Sequence, residues 1–229
     1  MDLKCSPARD GDCLTKIEKS KIEKILGSTY SNKDILALSE TKKINDILKK
    51  AYRPIGIWDD DLWLYDIDLE NVLEQYEDKY SNFKFLGVRM SDFVKNEDFI
   101  TDKLDPEKSY AIIFRLKGRN DNLNFPAHWV TIFFNNKNIE YFDPAVVGIP
   151  NFMVDIIKTI ALHWILITGK NDINFIINTK TLQKTNGDCG IFAIDYITSR
   201  LKGLSLDKYT HEKFDKNNMI RLRKYYFNN

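Results

Sequence analysis

Residues 125–144, FPAHWVTIFFNNKNIEYFDP, read as two apolar strands joined by a polar turn. Asn135, Asn136, Lys137 and Asn138 tolerate turn geometry, and the runs on either side are rich in β-branched and aromatic side chains. With Asn136 and Lys137 as the loop, His128 faces Ala145 and Val130 faces Asp143 across the hairpin. His128 and Asp143 are then diagonal neighbours on one face, about 7–8 Å apart at the backbone and closer at the side-chain tips. The carboxylate comes within reach of the imidazole, provided that no one-residue bulge reverses the parity of the strand.

A second stretch, residues 182–197, LQKTNGDCGIFAIDYI, carries complementary chemistry. Asn186, Gly187, Asp188 and Gly190 make a tight turn around Cys189, and an apolar helix starts there. A thiol at a helix amino terminus sits among unpaired backbone N–H groups at the positive end of the dipole, which favours the thiolate. A lone cysteine is by default an inert small hydrophobe. The flanking glycines argue against that here, because they open the backbone where a packing residue would want bulk. Gln183, six residues before Cys189, can aim its amide at a developing oxyanion beside the Cys189 N–H, the two-donor arrangement that acyl transfer needs.

Working outward, Thr15 and Glu18 make a capping box for a helix that carries Ile17, Ile22, Ile25 and Leu26 and stops at Gly27. Ser31 caps a second helix with Ile35, Leu38, Ile47, Leu48 and Ala51 on one side, which fails before Pro54. These helices form a small unit of their own or pack on the main domain. From Trp58 the pattern changes to a helix over 67–80 and β-type runs at 83–86, 110–116, 128–134, 139–142 and 174–177. An apolar helix over 152–167 separates the last two runs, another helix runs from Cys189 to Leu201, and a charged helix closes the chain. The fold class is α+β, with residues 1–53 as an amino-terminal helical region and 54–229 as the main domain.

The 229 residues are 43% hydrophobic and 13% aromatic, enough to bury a sizeable core, so global disorder is excluded. Basic residues number 34 against 33 acidic, a net charge of +1, which argues against a protein that coats phosphate backbone. The balance is uneven: residues 1–53 hold 12 basic and 8 acidic residues, 54–199 hold 14 and 22, and 200–229 hold 8 and 3. The basic ends are solvated faces or docking sites for an anionic partner. Three cysteines, Cys5, Cys13 and Cys189, make a poor disulfide scaffold and suit a reducing compartment, with a Cys5–Cys13 clip left open.

No apolar signal core opens the chain, and the most apolar stretch, 156–168, is interrupted by Lys158 and His163 and falls short of the ~20 residues a bilayer crossing takes. A soluble intracellular protein with no membrane partner is expected. The histidines and cysteines lack ligand spacing, so neither metal nor cofactor is expected. The second His-Trp pair, His163–Trp164, sits inside an apolar helical run with no orienting carboxylate, and His211 lies among charges.

The order His128, Asp143, Gln183, Cys189, with His-Trp at 128–129, YFDP at 141–144 and Gln-x5-Cys-Gly at 183–190, resembles the SUMO-specific and adenovirus-type cysteine proteases. The resemblance covers roughly residues 58–202 and includes WLYD at 63–66, similar to the WLND-type segment of that family. It implies a papain-like fold with permuted chain order, a central mixed sheet flanked by helices, and Cys189, His128, Asp143 and Gln183 as catalytic residues. It also implies that Trp63 and Trp129 line a narrow tunnel for a Gly-Gly substrate end, with Gly187 and Asp188 as further substrate-binding candidates. More narrowly, CSP at 5–7, CLT at 13–15, WLYDIDLENVLEQYE at 63–77 and FKFLG at 83–87 resemble the polyprotein-processing proteases of large DNA viruses. That branch implies cleavage of structural polyproteins after Gly-Gly or Ala-Gly, in the virion and host cytoplasm. The amino-terminal residues match nothing in the SUMO proteases and are a candidate substrate- or particle-docking unit. The alternative within the same fold is an isopeptidase acting on ubiquitin, SUMO or a similar modifier. An acetyltransferase working through a Cys thioester and a non-catalytic module rank below it.

Overall fold

The computed structural model describes residues 4–9, 13–26, 42–56, 63–90, 104–116, 128–184, 187–212 and 214–228. Gly27, Ser31, Ile35, Leu38, Trp58 and Asn186, which figure in the sequence reading, lie outside the described residues. The elements in chain order are α1 (Lys16–Leu26), α2 (Lys42–Ala51), α3 (Asp66–Lys79), β1 (Phe83–Met90), β2 (Ser109–Leu116), β3 (His128–Phe134), β4 (Asn138–Phe142), α4 (Asn151–Thr168), β5 (Asn174–Ile177), α5 (Cys189–Leu201), α6 (Leu206–His211) and α7 (Lys216–Tyr226).

The five strands form one mixed sheet in the order β1-β2-β3-β4-β5. The outer pairs, β1 with β2 and β4 with β5, run parallel, and the inner pairs run antiparallel. Alternation on β3 sends Val130, Ile132 and Phe134 into one core with α4, and Trp129 and Phe133 into another with α3 and α5. Strands covered on both faces read as continuous apolar runs, which is why β2 and β3 stood out in the sequence. Helix α4 is long and apolar enough to cross a membrane, but Met153, Ile156, Ile157, Ile160 and Trp164 lie buried against the sheet.

Sequence and structure differ at β1, read as ending at residue 86 and observed to Met90. Gly87 takes φ +88 and the register to β2 shifts between Phe85 and Val88, so the strand continues through an irregularity that looked like its end. The short α6, capped by the Ser205 hydroxyl accepting from the Lys208 N–H, was not anticipated.

At the amino end, the Thr15–Glu18 capping box forms: the Thr15 N–H donates to Glu18 at 2.7 Å and the Glu18 N–H donates to the Thr15 hydroxyl at 3.3 Å. Leu14, Ile22 and Ala51 make a small separate core. It is tied to the main domain through Gln75 of α3, a buried side chain whose amide donates to the carbonyls of Lys49 and Tyr52. Cys5 and Cys13, left open by the sequence, are joined in a disulfide, and Cys189 takes no part in one.

Beneath the sheet, Arg200 of α5 grips Glu140 of β4 with two parallel bonds, Nε to Oε2 at 2.7 Å and Nη2 to Oε1 at 2.8 Å. The Tyr196 hydroxyl donates to the same carboxylate at 2.5 Å, and Arg200 also donates to the Leu204 carbonyl. This network pins α5 across β4 and so fixes where the amino terminus of α5 falls. Arg200→Met strands a buried carboxylate and is expected to lower the unfolding free energy by about 3–5 kcal/mol in urea titration, with Glu140→Leu in the same chain restoring much of the loss.

Candidate active site

The hairpin forms with the expected register, Thr131 opposite Phe142, Ile132 opposite Tyr141, Phe133 opposite Glu140 and Phe134 opposite Ile139. Its turn is closed by the Asn135 N–H donating to the Asn138 carbonyl at 3.0 Å, while Asn135 Oδ1 accepts from the N–H groups of Lys137 and Asn138 at 2.9 and 3.0 Å. Parity therefore carries through to the open end, where His128 Nε2 lies 2.7 Å from Asp143 Oδ1.

Asp143 is 2% exposed, and a carboxylate so buried must be matched by donors. Besides His128, the Ala145 N–H donates to Oδ1 at 2.8 Å and the Val147 N–H to Oδ2 at 2.9 Å. Wrapping the chain around the carboxylate forces Val146 to φ 51, a left-handed conformation unusual for a β-branched residue and costing about 1–3 kcal/mol. Bonds to a charged acceptor, about 1.5–3 kcal/mol each, offset that strain. The main chain of Asp143 is fixed from behind by Asn178, a buried residue just past β5. Its Oδ1 accepts from the Asp143 N–H at 2.8 Å and its Nδ2 donates to the Asp143 carbonyl at 2.7 Å. Sequence reasoning missed Asn178, since an asparagine after a strand is an ordinary turn residue and nothing local marks its partner 35 residues away.

Cys189 is the first residue of α5 and is 0% exposed, and its side chain is hydrogen-bonded to His128, whose side chain keeps 22% exposure. Burial pushes the Asp143 carboxyl up, but the hydrogen bond and charge of His128 and the N–H groups of Ala145 and Val147 outweigh it and hold it below the usual range. Burial likewise pushes the His128 imidazole down, but its hydrogen bonds to Asp143 and Cys189 and their charges raise it to about 9. With Nε2 committed to Asp143, Nδ1 is the ring nitrogen left for the sulfur.

The remaining sequence candidates have contacts of their own. Gln183 is half-buried, and its N–H donates at 2.9 Å to the carbonyl of Pro144, next to Asp143. Gly187, at φ +98, and the buried Asp188 lead into α5. Trp129 is buried, and its Nε1 donates to the Leu64 carbonyl at 3.2 Å, while Trp63 is partly buried against the same core. Leu64 explains Gly190: a Cβ there would meet Leu64 Cβ at 3.0 Å, so glycine lets the WLYD segment close on the first turn of α5. His163 is bonded through Nδ1 to the Thr159 carbonyl of its own helix, and His211 is exposed beside Asp207; neither joins the site.

A histidine raised above its unfolded value contributes stability that is fully present below about pH 6.5 and is lost as pH rises through its folded value. NMR titration of the His128 ring is expected to give a midpoint near 9 in the native chain. In Asp143→Asn the midpoint falls towards about 6.5, and the loss of stability between neutral and alkaline pH flattens with it.

Residues 120–229 match the Ulp1 protease family, C-terminal catalytic domain. The chain is 28% identical over 197 residues to a protein of Acanthamoeba polyphaga mimivirus that bears a thiol-protease name, a likeness covering 81% of this chain and 63% of that protein. The chain thus spans less than two thirds of that relative's length. Its fold is similar to the crystal structure of an ASFV protease, with a TM-score of 0.72 at 17% identity over 98% of this chain and 95% of the other. It is also similar to the C-terminal Ulp1 protease domain solved in complex with SMT3, the yeast orthologue of SUMO, with a TM-score of 0.52 at 19% identity over 93% and 92%. Residues 120–229, just under half of the chain, are thus similar to the Ulp1-type catalytic domain, and the chain shares the α+β sheet-and-helix frame of these two solved proteases.

Proposed function

We propose that the chain is a cysteine endopeptidase that cuts protein substrates after Gly-Gly or Ala-Gly. One observation carries the reading: a cysteine outside any disulfide, at a helix amino terminus, is hydrogen-bonded to an imidazole that a buried carboxylate holds at 2.7 Å through Nε2. Cys189 Sγ attacks the scissile carbonyl, and His128 takes the thiol proton and later gives it to the leaving amine. Asp143 orients the ring and stabilises its charged form. Gln183 and the Cys189 N–H receive the oxyanion of the tetrahedral intermediate. A thioester to Cys189 then forms with loss of the amine, and water releases the acid by the same steps in reverse.

Substrate preference follows from the approach to the sulfur. The Trp129 indole donates to the Leu64 carbonyl and Leu64 closes on Gly190, so the WLYD segment and the start of β3 are joined next to the first turn of α5, with Trp63 partly buried against the same core. A substrate end that reaches the buried sulfur between these segments is expected to carry residues without a β-carbon. Structural polyproteins of a virus particle are the substrate class this reading favours, on the likeness to the mimivirus protein. The amino-terminal helices, with their own small core, supply a surface for holding such a partner, in the virion and the host cytoplasm.

The test sets Gly-Gly-X peptides and candidate capsid polyproteins against a fluorogenic modifier substrate, reading new amino termini by mass spectrometry. Cleavage after Gly-Gly in peptide and polyprotein is expected, with Cys189→Ala lowering the rate at least ~10³-fold while keeping the native unfolding transition. Undiminished cleavage by Cys189→Ala overturns the proposal, and activity on the folded modifier alone replaces it with an isopeptidase.

A further inference from the structure

Arg223 lies on α7, in the basic stretch that the sequence assigns to a solvated face or a docking end. Its position is different. The side chain has no exposed surface, whereas Arg221 and Lys224 on the same helix are exposed. A guanidinium taken out of water has to be matched by acceptors. Arg223 Nη2 donates to the Gly187 carbonyl at 3.2 Å and lies 3.4 Å from Asp188 Oδ1. Asp188 is itself buried, and Asp68, in the first turn of α3, feels the same positive charge. A buried cation is thus applied to the two residues that directly precede Cys189. Helix α7 is firmly held while it does this: the Tyr226 hydroxyl donates to Asp195 Oδ1 at 3.0 Å and pairs with the Thr198 hydroxyl at 2.7 Å, both on α5.

Backbone geometry gives the contact its consequence. Gly187 sits at φ +98, where only glycine turns at low cost, so no side chain at 187 fixes the peptide that follows. Described peptide bonds are trans, so the Gly187 carbonyl and the Asp188 N–H point in opposite directions. Drawing that carbonyl towards α7 turns the Asp188 N–H away from α7. Asp188, at φ −86 and ψ −7, then passes this orientation into the first turn of α5, where the Phe192 N–H donates to the Asp188 carbonyl. A flipped peptide would set the negative end of a carbonyl dipole where N–H groups have to gather.

We propose that Arg223 is a positioning residue: its buried guanidinium, set on the Gly187 carbonyl and the Asp188 carboxylate, locks their peptide so that the first turn of α5 presents its N–H groups to the oxyanion. The proposal rests on the assignment of Cys189 as nucleophile. A lysine supplies the charge but not the planar fork that reaches carbonyl and carboxylate together, so Arg223→Lys separates neutralising a buried charge from holding a peptide.

The experiment compares the native 229-residue chain with R223K on a Gly-Gly-X peptide, with kcat expressed per active site titrated by an irreversible thiol label, and measures iodoacetamide alkylation of Cys189, which needs no substrate. R223K is expected to lose at least tenfold in kcat with KM within twofold, and to alkylate at least threefold more slowly at neutral pH. A kcat within twofold of the native value overturns the assignment. If the native chain cuts no Gly-Gly-X peptide, the proposed function fails, and alkylation decides for Arg223, equal rates overturning it. Should R223K not fold, D188N, which keeps shape and removes the carboxylate that steadies the guanidinium, is the second variant. A threefold or greater fall in kcat at unchanged KM is then expected, and an unchanged kcat overturns the proposal.

Discussion

Burying the Asp143 carboxylate is the constraint around which the site is organised. At 2% exposure it cannot rely on water, and its acceptor sites are filled by His128 and by the N–H groups of Ala145 and Val147. Satisfying those sites bends the chain after β4 through the strained Val146 and sets Pro144 so that its carbonyl takes the N–H groups of Leu182 and Gln183. The same carboxylate therefore orders three things at once: the imidazole, the loop beyond the hairpin and the segment that carries Gln183. Loss of Asp143 is accordingly a change of local backbone as well as of charge, and Asn is a cleaner replacement than Ala.

Much of this was legible in the sequence because it depends on local rules. The Asn135–Asn138 turn fixes the hairpin, and the register runs without a bulge from Phe134–Ile139 to Thr131–Phe142, so the meeting of His128 with Asp143 follows from counting. The start of α5 at Cys189 follows from the glycines around it. What was not legible depends on partners distant in the chain. Asn178 serves Asp143 through its backbone, and Val146 is strained only because of what it surrounds. Gly187 and Gly190 looked alike as loop openers, but one supplies a left-handed turn and the other a close approach to Leu64.

Charge shows the same limit. A count finds basic ends around an acidic middle, yet Arg200 and Arg223 from the basic end point inward, to Glu140 and Asp188 of that middle. Part of the uneven distribution is thus internal pairing across the fold, in contacts that fix both ends of α5: Arg200 near its last turn, Arg223 against the residues before its first. The helix that carries the sulfur is consequently placed by buried ion pairs as well as by its apolar face.

The most direct measurement is a crystal structure of the native chain with a peptide ending in a Gly-Gly aldehyde. Acyl transfer through Cys189 requires a hemithioacetal on its Sγ, the adduct oxygen within hydrogen-bond distance of the Gln183 side-chain amide and the Cys189 N–H, and the His128 ring still joined to Asp143. An unmodified sulfur at saturating aldehyde, or an adduct with the His128 ring turned away from both Asp143 and the sulfur, would contradict that mechanism.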